Sequence, residues 1–298
     1  MLVKSFTGDS VEIHAPAKIN LFLEVLNKRL DGFHNINSLF QAVTLFDILK
    51  FKRIEEPTCR VHVANNRGAD ITDNLIVKAY DSLKTKFNLK DGVDVELEKN
   101  IPIAAGLGGG SSDCAATIVA LNQLFNLGLE KKQMAEIGIE LGSDIPFFFT
   151  KGQTIVTGRG EKIEETSFPT KYKIVLVSPS LTLSTKEGYA ALKMGLTVSG
   201  TPYNLKANRN LEEFLELLSN ARNDFERVQF EKYPKLGEIK EKLKKCGAVF
   251  ARMSGSGPTI FGVFRDNIDT ERACANNFAD CQLHTVVPFC LPSQGLHF

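Results

Sequence analysis

From Ile13 to Val25 the chain alternates, with Ile13, Ala15, Ala17, Ile19, Leu21, Leu23 and Val25 in one register and His14, Lys18, Asn20, Phe22 and Glu24 in the other. A period of two places successive side chains on opposite faces of a strand, so the first set is expected to face a core and Lys18 and Asn20 to project together from the other side. Pro16 has no amide to donate and puts the stretch near a strand start or on an edge. After the turn signal Asp31-Gly32, strands are expected over 39–45, 48–51 and 60–63, and Asp73 is placed to cap a helix running to Leu83. The alternating run 93–97 leads through Glu98-Lys99-Asn100 into a cluster of glycines. Directly behind it Cys114, Ile118, Leu121 and Phe125 recur at helical spacing, with Gly128 placed to end the helix.

From residue 173 the order changes. A strand over 173–177 is followed by helices over 187–192, 211–218 and 236–245, the last stopped by Gly247. A hairpin with strands 248–252 and 259–264 brackets Ser254-Gly255-Ser256-Gly257, and a helix over 270–277 and a strand over 284–287 close the pattern. Strand, helices, two strands, helix, strand is the split βαβ order of ferredoxin-like domains. The length of 298 residues suits two cores, so the expectation is an α+β chain of two domains, 1–160 and 161–298, divided near Gly158-Arg159-Gly160.

Composition narrows the partners. With 43% hydrophobic and 24% charged residues the chain falls among packed globular proteins. A net charge of +1 gives no long-range attraction to nucleic acid or to an anionic membrane, so any anionic ligand must be caught locally. The basic run at Lys240, Lys242, Lys244 and Lys245 reads as a solvated helix face. No apolar stretch approaches the ~18 residues of a membrane span and the N-terminus lacks a signal-peptide core, so a cytoplasmic location is expected. Six scattered cysteines, without a CxxC pair or a Cys/His cluster, read as reduced thiols and give no metal site.

The strongest chemical signal is Ile101-Pro102-Ile103-Ala104-Ala105-Gly106-Leu107-Gly108-Gly109-Gly110-Ser111-Ser112-Asp113. Its glycines let the main chain approach a ligand and turn N–H groups toward it, and the following helix adds the positive end of its dipole; phosphate suits both. Ser111 and Ser112 can cap the helix or bind phosphate or magnesium, and Asp113 can cap or help hold a metal. There is no GxxxxGK[ST], and the third glycine of the dinucleotide fingerprint is missing. Phosphoryl transfer to an alcohol also needs a proton acceptor. Asp144, between Gly142 and Pro146 with Ile145, Phe147, Phe148 and Phe149 to pack beneath it, is one candidate, a turn or cap aspartate being the plainer role. Lys18 is its candidate partner, able to keep a facing carboxylate ionised and to steady charge on the transferred group; otherwise it is a solvated lysine. Residues 253–259 are either a hairpin turn or a second glycine-serine segment closing over phosphates.

Taken together, Pro16-Ala17-Lys18-Ile19-Asn20-Leu21, the GLGGGSSD loop at 106–113, Gly142-Ser143-Asp144-Ile145-Pro146-Phe147-Phe148 and Ser254-Gly255-Ser256-Gly257-Pro258-Thr259 resemble the GHMP kinase superfamily. Asp31-Gly32-Phe33-His34, Asp73-Asn74-Leu75-Ile76 and Asn223-Asp224-Phe225-Glu226 carry the likeness along nearly the whole chain. They place it closest to the branch that phosphorylates 4-diphosphocytidyl-2-C-methyl-D-erythritol in the non-mevalonate route to isoprenoids. The resemblance implies an N-terminal domain of ribosomal-protein-S5-like fold, the ferredoxin-like C-terminal domain, and a site in the cleft between them. It implies ATP as donor, Mg2+, and a small alcohol carrying a cytidine diphosphate group as acceptor, phosphorylated on its 2-hydroxyl. By match of position Lys18 and Asp144 form the catalytic pair. Pro102, Ile103, Ala104, Ala105, Gly106, Leu107, Gly108, Gly109, Gly110, Ser111 and Ser112 form the ATP loop, with Lys99 nearby. Asn20, Phe33, His34, Thr185 and Tyr189 contact the substrate, His34 reading the cytosine edge and Tyr189 stacking on the ring. The family often has tyrosine where this chain has Phe33, so a hydroxyl contact is lost while stacking survives. Two other readings remain: the same fold acting on mevalonate or homoserine, and a nucleotide- or RNA-binding protein without catalysis, which near-neutral charge disfavours.

Overall fold

The computed structural model describes residues 1–64, 74–192, 210–274 and 277–291. Two long antiparallel strands, β2 (Ser10–Lys28) and β3 (His34–Ile54), form the spine of a seven-stranded sheet whose outer strand on the β2 side is β1 (Leu2–Phe6). The second half of β3 pairs with β5 (Gly92–Glu98), which carries β4 (Cys59–Val63) in parallel. The first half of β3 pairs with β6 (Gln153–Gly158), and β7 (Lys162–Glu165) closes that edge.

Three helices accompany this sheet. In α1 (Leu75–Phe87) the Asn74 side chain accepts the Ile76 N–H at 2.9 Å, while Asp73, expected as the cap, lies outside the described residues. Its buried Ile76, Ala79, Tyr80 and Leu83 follow the i, i+3, i+4, i+7 stripe of a helix with one buried face. The glycine-loop helix α2 (Gly109–Leu124) is buried all round from Ser112 to Asn122, because it lies between β2 and its neighbours α1 and α3 (Lys131–Leu141). Helix α3 starts on a capping box, Glu130 with Gln133.

The alternation expected over 13–25 holds only in pieces. Register shifts at Pro16/Ala17 and Asn20/Phe22 interrupt the ladder between β2 and β3. A bulge changes which face successive side chains occupy. Ile13 and Ala15 therefore join one apolar cluster, Ala17, Ile19, Leu21 and Phe22 another, and Leu23 and Val25 return to the first. The second cluster includes Phe168, Ile174, Leu176 and Phe261 from the C-terminal half, so the centre of β2 is sandwiched between the two halves of the molecule. Neither of its faces is left to solvent: Lys18, Asn20 and Glu24 are at most 4% exposed.

The C-terminal half carries β8 (Tyr172–Pro179), α4 (Thr185–Ala191), α5 (Leu211–Asn220), α6 (Phe225–Lys232), α7 (Pro234–Lys245), β9 (Phe250–Met253), β10 (Ile260–Arg265), α8 (Thr270–Cys274) and β11 (Cys281–Val286). Its sheet is fully antiparallel in the order β11-β8-β10-β9, the ferredoxin-like arrangement expected from the sequence. Because β7 still belongs to the first sheet, the passage between the halves falls at 166–171, a few residues beyond the expected boundary at 160. The end of the described chain then crosses back: the Phe289 N–H bonds the Ala42 carbonyl at 2.7 Å and the Leu291 N–H bonds that of Lys151 at 2.9 Å. Among the described residues no helix is long and apolar enough to cross a membrane. The six cysteines are free thiols.

Candidate active site

The glycine loop runs from the end of β5 to the N-terminus of α2, and both halves of the molecule hold it. The Lys18 N–H donates to the Leu107 carbonyl at 2.9 Å, and the Ser254 hydroxyl donates to the Gly106 carbonyl at 2.9 Å. Ser254 is held in turn from β2, the Asn20 N–H donating to its hydroxyl at 3.3 Å. Asn223 Nδ2 donates to the carbonyls of Met253 and Gly255, each at 2.7 Å. The segment 253–259 is thus a hairpin turn and also a brace against the glycine loop, with Gly255 and Ser256 at the edge of the cavity. Glycine is required where the elements touch. A Cβ on Gly106 would stand 2.3 Å from the Ser254 carbonyl oxygen, and Gly108, which caps α2 with φ +70°, would bring one to 2.9 Å from Lys18 Cγ.

A cavity of about 730 Å³ opens beside this loop, lined at its inner end by Lys18, Asn20, Gly106, Gly108, Ser143 and Asp144. Lys18 Nζ lies 3.3 Å from Asp144 Oδ2, donates to Asn20 Oδ1 at 2.7 Å and sits 4.5 Å from the centre of the Phe40 ring. The bulges in β2 bring this lysine inward, and a short 3-10 helix, Ile145–Phe149, holds Asp144 at its start. The four apolar residues after Asp144, with Pro146, are all buried, as a floor beneath the carboxylate requires. Asp144 itself keeps 36% of its side chain exposed, against 5% for Lys18. A buried cation therefore faces an accessible base at the foot of an open cavity.

The outer part of the cavity is aromatic. The His34 and Tyr189 rings stack at 5.1 Å with 16° between their planes, and Tyr189 rests edge-on against Phe225 at 4.8 Å. Burial, with a smaller push from Lys28, holds His34 below the ordinary imidazole range, so the ring is neutral near pH 7 and keeps one donor and one acceptor nitrogen. Burial, reinforced by Asp144, pushes the Tyr189 hydroxyl up to about 12. Phe33 stands 51% exposed at the rim, and within the C-terminal half the Thr185 and Ser256 hydroxyls meet at 2.7 Å.

Other candidates face elsewhere. Lys99 Nζ is buried between Asp47 and Asp113 Oδ2, the latter at 2.8 Å, and Asp47 Oδ1 accepts the N–H groups of Asn100 and Ile101 at 2.7 and 2.8 Å. Burial works against the Lys99 charge, but Asp113 and Asp47 outweigh it and hold the ammonium above its ordinary value. Lys99 thus anchors the loop from beneath. Asp113 and Ser112 are likewise turned into the protein, and Asp113 Oδ1 and the Ser112 hydroxyl have no hydrogen-bond partner among the described residues. Of the loop's side chains, Ser111 is the half-exposed hydroxyl at the helix start. Pro102, Ile103, Ala104 and Ala105 line a second cavity of about 500 Å³, together with Lys99 and residues 178–182. Asn20 lines the main cavity, yet both ends of its amide are engaged by protein, Nδ2 donating to Ser38 at 3.0 Å. Sequence reasoning missed Lys28, Asp47, Arg159 and Lys186 as site residues; only Asp47 had a signal, as the one acid in the run 39–51, between two expected strands.

Comparison with known proteins agrees with this geometry. Residues 74–152 match the model described as GHMP kinases N terminal domain, and 203–280 the one described as GHMP kinases C terminal. A protein of Caldanaerobacter subterraneus subsp. tengcongensis named 4-diphosphocytidyl-2-C-methyl-D-erythritol kinase is 41% identical over 257 residues, 86% of this chain and 88% of that one. A Bacillus cereus protein of the same name is 40% identical over 251 residues, 84% and 87% of the two chains. A crystal structure of 4-(cytidine 5'-diphospho)-2C-methyl-D-erythritol kinase superposes with a TM-score of 0.75 at 29% identity, over 93% of this chain and 99% of that one. Homoserine kinase from Cytophaga hutchinsonii, with a TM-score of 0.73 at 18% identity over 97% of each chain, shares the fold. With one family model matched in each half and relatives about 40% identical over most of its length, the chain belongs to the GHMP kinase family.

Proposed function

We propose that this kinase transfers the γ-phosphate of ATP to the 2-hydroxyl of 4-diphosphocytidyl-2-C-methyl-D-erythritol, with Lys18 and Asp144 as its catalytic pair. The observation that carries the reading is the approach of Lys18 Nζ to Asp144 Oδ2, 3.3 Å, beside Gly106 and Gly108 at the inner end of the cavity. Main-chain N–H groups at the start of α2 are suited to the terminal phosphates of the nucleotide. Asp144 takes the proton of the acceptor hydroxyl as its oxygen bonds to the γ-phosphorus and the bond to the β,γ-bridging oxygen breaks, releasing ADP. Lys18, 3.3 Å away, orients the carboxylate and answers the charge that gathers on the transferred group.

Magnesium accompanies ATP in this reading. Among the described residues no group of three His, Cys, Asp or Glu side chains is gathered to hold a metal, which suits an ion carried mainly by the nucleotide's own phosphate oxygens. At the outer end a neutral His34 can both donate to and accept from the Watson–Crick edge of cytosine, and Phe33 and Tyr189 offer ring faces. Since His34 now covers one face of Tyr189, stacking of a base on that ring requires the imidazole to move aside.

The test is a turnover assay with ATP, magnesium and the cytidylated alcohol, run beside homoserine and mevalonate. Phosphorylation of the cytidylated alcohol at far lower concentration than the other two is expected. Turnover of homoserine or mevalonate with the cytidylated compound ignored would reject the acceptor and leave the kinase chemistry standing.

A further inference from the structure

The main cavity has a charge pattern that the catalytic pair does not use. Four cations line it, Lys18, Lys28, Arg159 and Lys186, against the single carboxylate of Asp144. Asp144 answers Lys18. Of the acids near the other three, Asp31 pairs with Arg29 at 2.9 Å and meets Arg159 only through its field, Glu187 pairs with Lys232 at 3.0 Å, and Glu161 accepts the main-chain N–H of Arg159 at 2.6 Å. Lys28, Arg159 and Lys186 are therefore left without a carboxylate at ion-pair distance among the described residues. Uncompensated like charges around one concavity repel one another, and they focus a field suited to an anion.

These three cations surround the aromatic end of the cavity. Lys28 is near enough to His34 to lower its pKa, Lys186 follows Thr185 at the start of α4, and the Arg159 guanidinium lies over the Phe33 ring at 5.3 Å. Arg159 sits in the turn between β6 and β7, flanked by Gly158 and Gly160, so it reaches the rim from a different element than the other two. Stacking on Phe33 gives the guanidinium a resting place while its N–H donors stay free for oxygen ligands.

We propose that Arg159, with Lys28 and Lys186, clamps the diphosphate bridge of the acceptor, and that Arg159 is the residue by which this chain separates a nucleoside-diphosphate-bearing alcohol from a bare one. The inference rests on the acceptor reading given above and assigns the part of the substrate that neither the catalytic pair nor the ring faces address. A diphosphate offers anionic oxygens that a guanidinium binds through paired N–H groups, whereas homoserine and mevalonate offer no such group. The Phe33 ring, which lacks a hydroxyl for the ligand, serves instead as the platform that orients the guanidinium.

Calorimetric titration of cytidine, CMP and CDP into the wild-type protein and into Arg159→Gln, at low and high salt, tests the clamp. The wild type is expected to bind CDP at least about 10-fold more tightly than cytidine, as a charge-assisted contact supplies. That advantage should shrink at high salt, because the three cations are exposed and screened. Arg159→Gln should remove most of the advantage while leaving cytidine affinity and the KM for ATP unchanged, and Lys186→Gln should act more weakly in the same direction. A wild-type ratio of CDP to cytidine affinity retained in Arg159→Gln would overturn the proposal, as would an equal loss for cytidine, which would make Arg159 a support for the ring alone. If the wild type bound none of the three compounds yet phosphorylated a bare alcohol, the acceptor assignment would fall and the clamp with it.

Discussion

At the scale of single residues, the site contrasts two carboxylates. Asp144 is accessible and faces one buried ammonium, so replacing it with asparagine removes the proposed proton acceptor without removing a support of the fold. We expect Asp144→Asn to lower kcat by about 10² to 10⁴ with the KM for ATP little changed, measured by steady-state kinetics. Turnover near the wild-type rate would take Asp144 out of the mechanism. Asp113 is the opposite case. Burial pushes its carboxyl up to about 8, Lys99 pulling it down and Asp47 adding to the rise. A carboxyl with a higher pKa in the folded than in the unfolded state binds an extra proton on folding, so its contribution is fully present below about 4 and is lost as the pH climbs through about 8. Denaturant midpoints for wild type and Asp113→Asn should therefore diverge in the variant's favour between about pH 4 and pH 8. A difference that stays constant across that range would show that Asp113 carries no titrating proton there. Sequence showed both aspartates as acids beside turns, but their surroundings separate the roles: Asp113 is buried against Lys99 with Asp47 beside it, and accessible Asp144 faces Lys18 of β2.

At the scale of elements, what was legible followed from local pattern. The strand-loop-helix around 93–125 and the hairpin around Ser254-Gly257 stand where periodicity and turn residues put them. The path of β2 was not legible, because alternation over 13–25 is unbroken in the sequence while two register shifts set by pairing with β3 divide it. The same limit hid β6 and β7, short strands defined by their partners. Helix α6 buries only Phe225 and Gln229, too few positions to form a stripe, whereas Met134, Ile137, Gly138 and the Glu130 cap of α3 gave a usable signal that was passed over. The loop offers a direct test at this scale. Gly108→Ala places a methyl group against Lys18 at a residue with φ +70°, so it should lower kcat and cost about 1 kcal/mol or more of stability, read by chemical denaturation alongside kinetics. Unchanged kinetics would mean that Lys18 is not held by the loop. By contrast, a Cβ on Gly109 points at Lys99 and Ile101 rather than outward, and it is Gly110 whose Cβ meets only Leu75, at 3.7 Å.

At the scale of the whole molecule, two sheets share a core through the middle of β2, and the polar seam above that core is stitched from both sides. Asp224 accepts the Val25 N–H at 2.7 Å, Arg252 donates to the Leu21, Leu218 and Ala221 carbonyls, and Arg222 bridges Glu24 and Asp224. The order of elements in the C-terminal half announced its fold; the seam did not, since its partners come from opposite ends of the chain and no local pattern joins them.

Gripping the glycine loop from both halves has a consequence for change over evolutionary time. Lys18, Leu107, Gly106, Ser254 and Asn20 form a closed circuit in which no member can shift without disturbing the next. The rim residues stand outside that circuit and are exposed: Lys28 and Phe33 flank the turn between β2 and β3, Arg159 lies between β6 and β7, and Lys186 is in the first turn of α4. Under the proposed clamp, substitutions at the mouth would redirect which alcohol is taken up while the engine below runs undisturbed, the architecture a lineage needs to diversify its fuels without rebuilding its machinery.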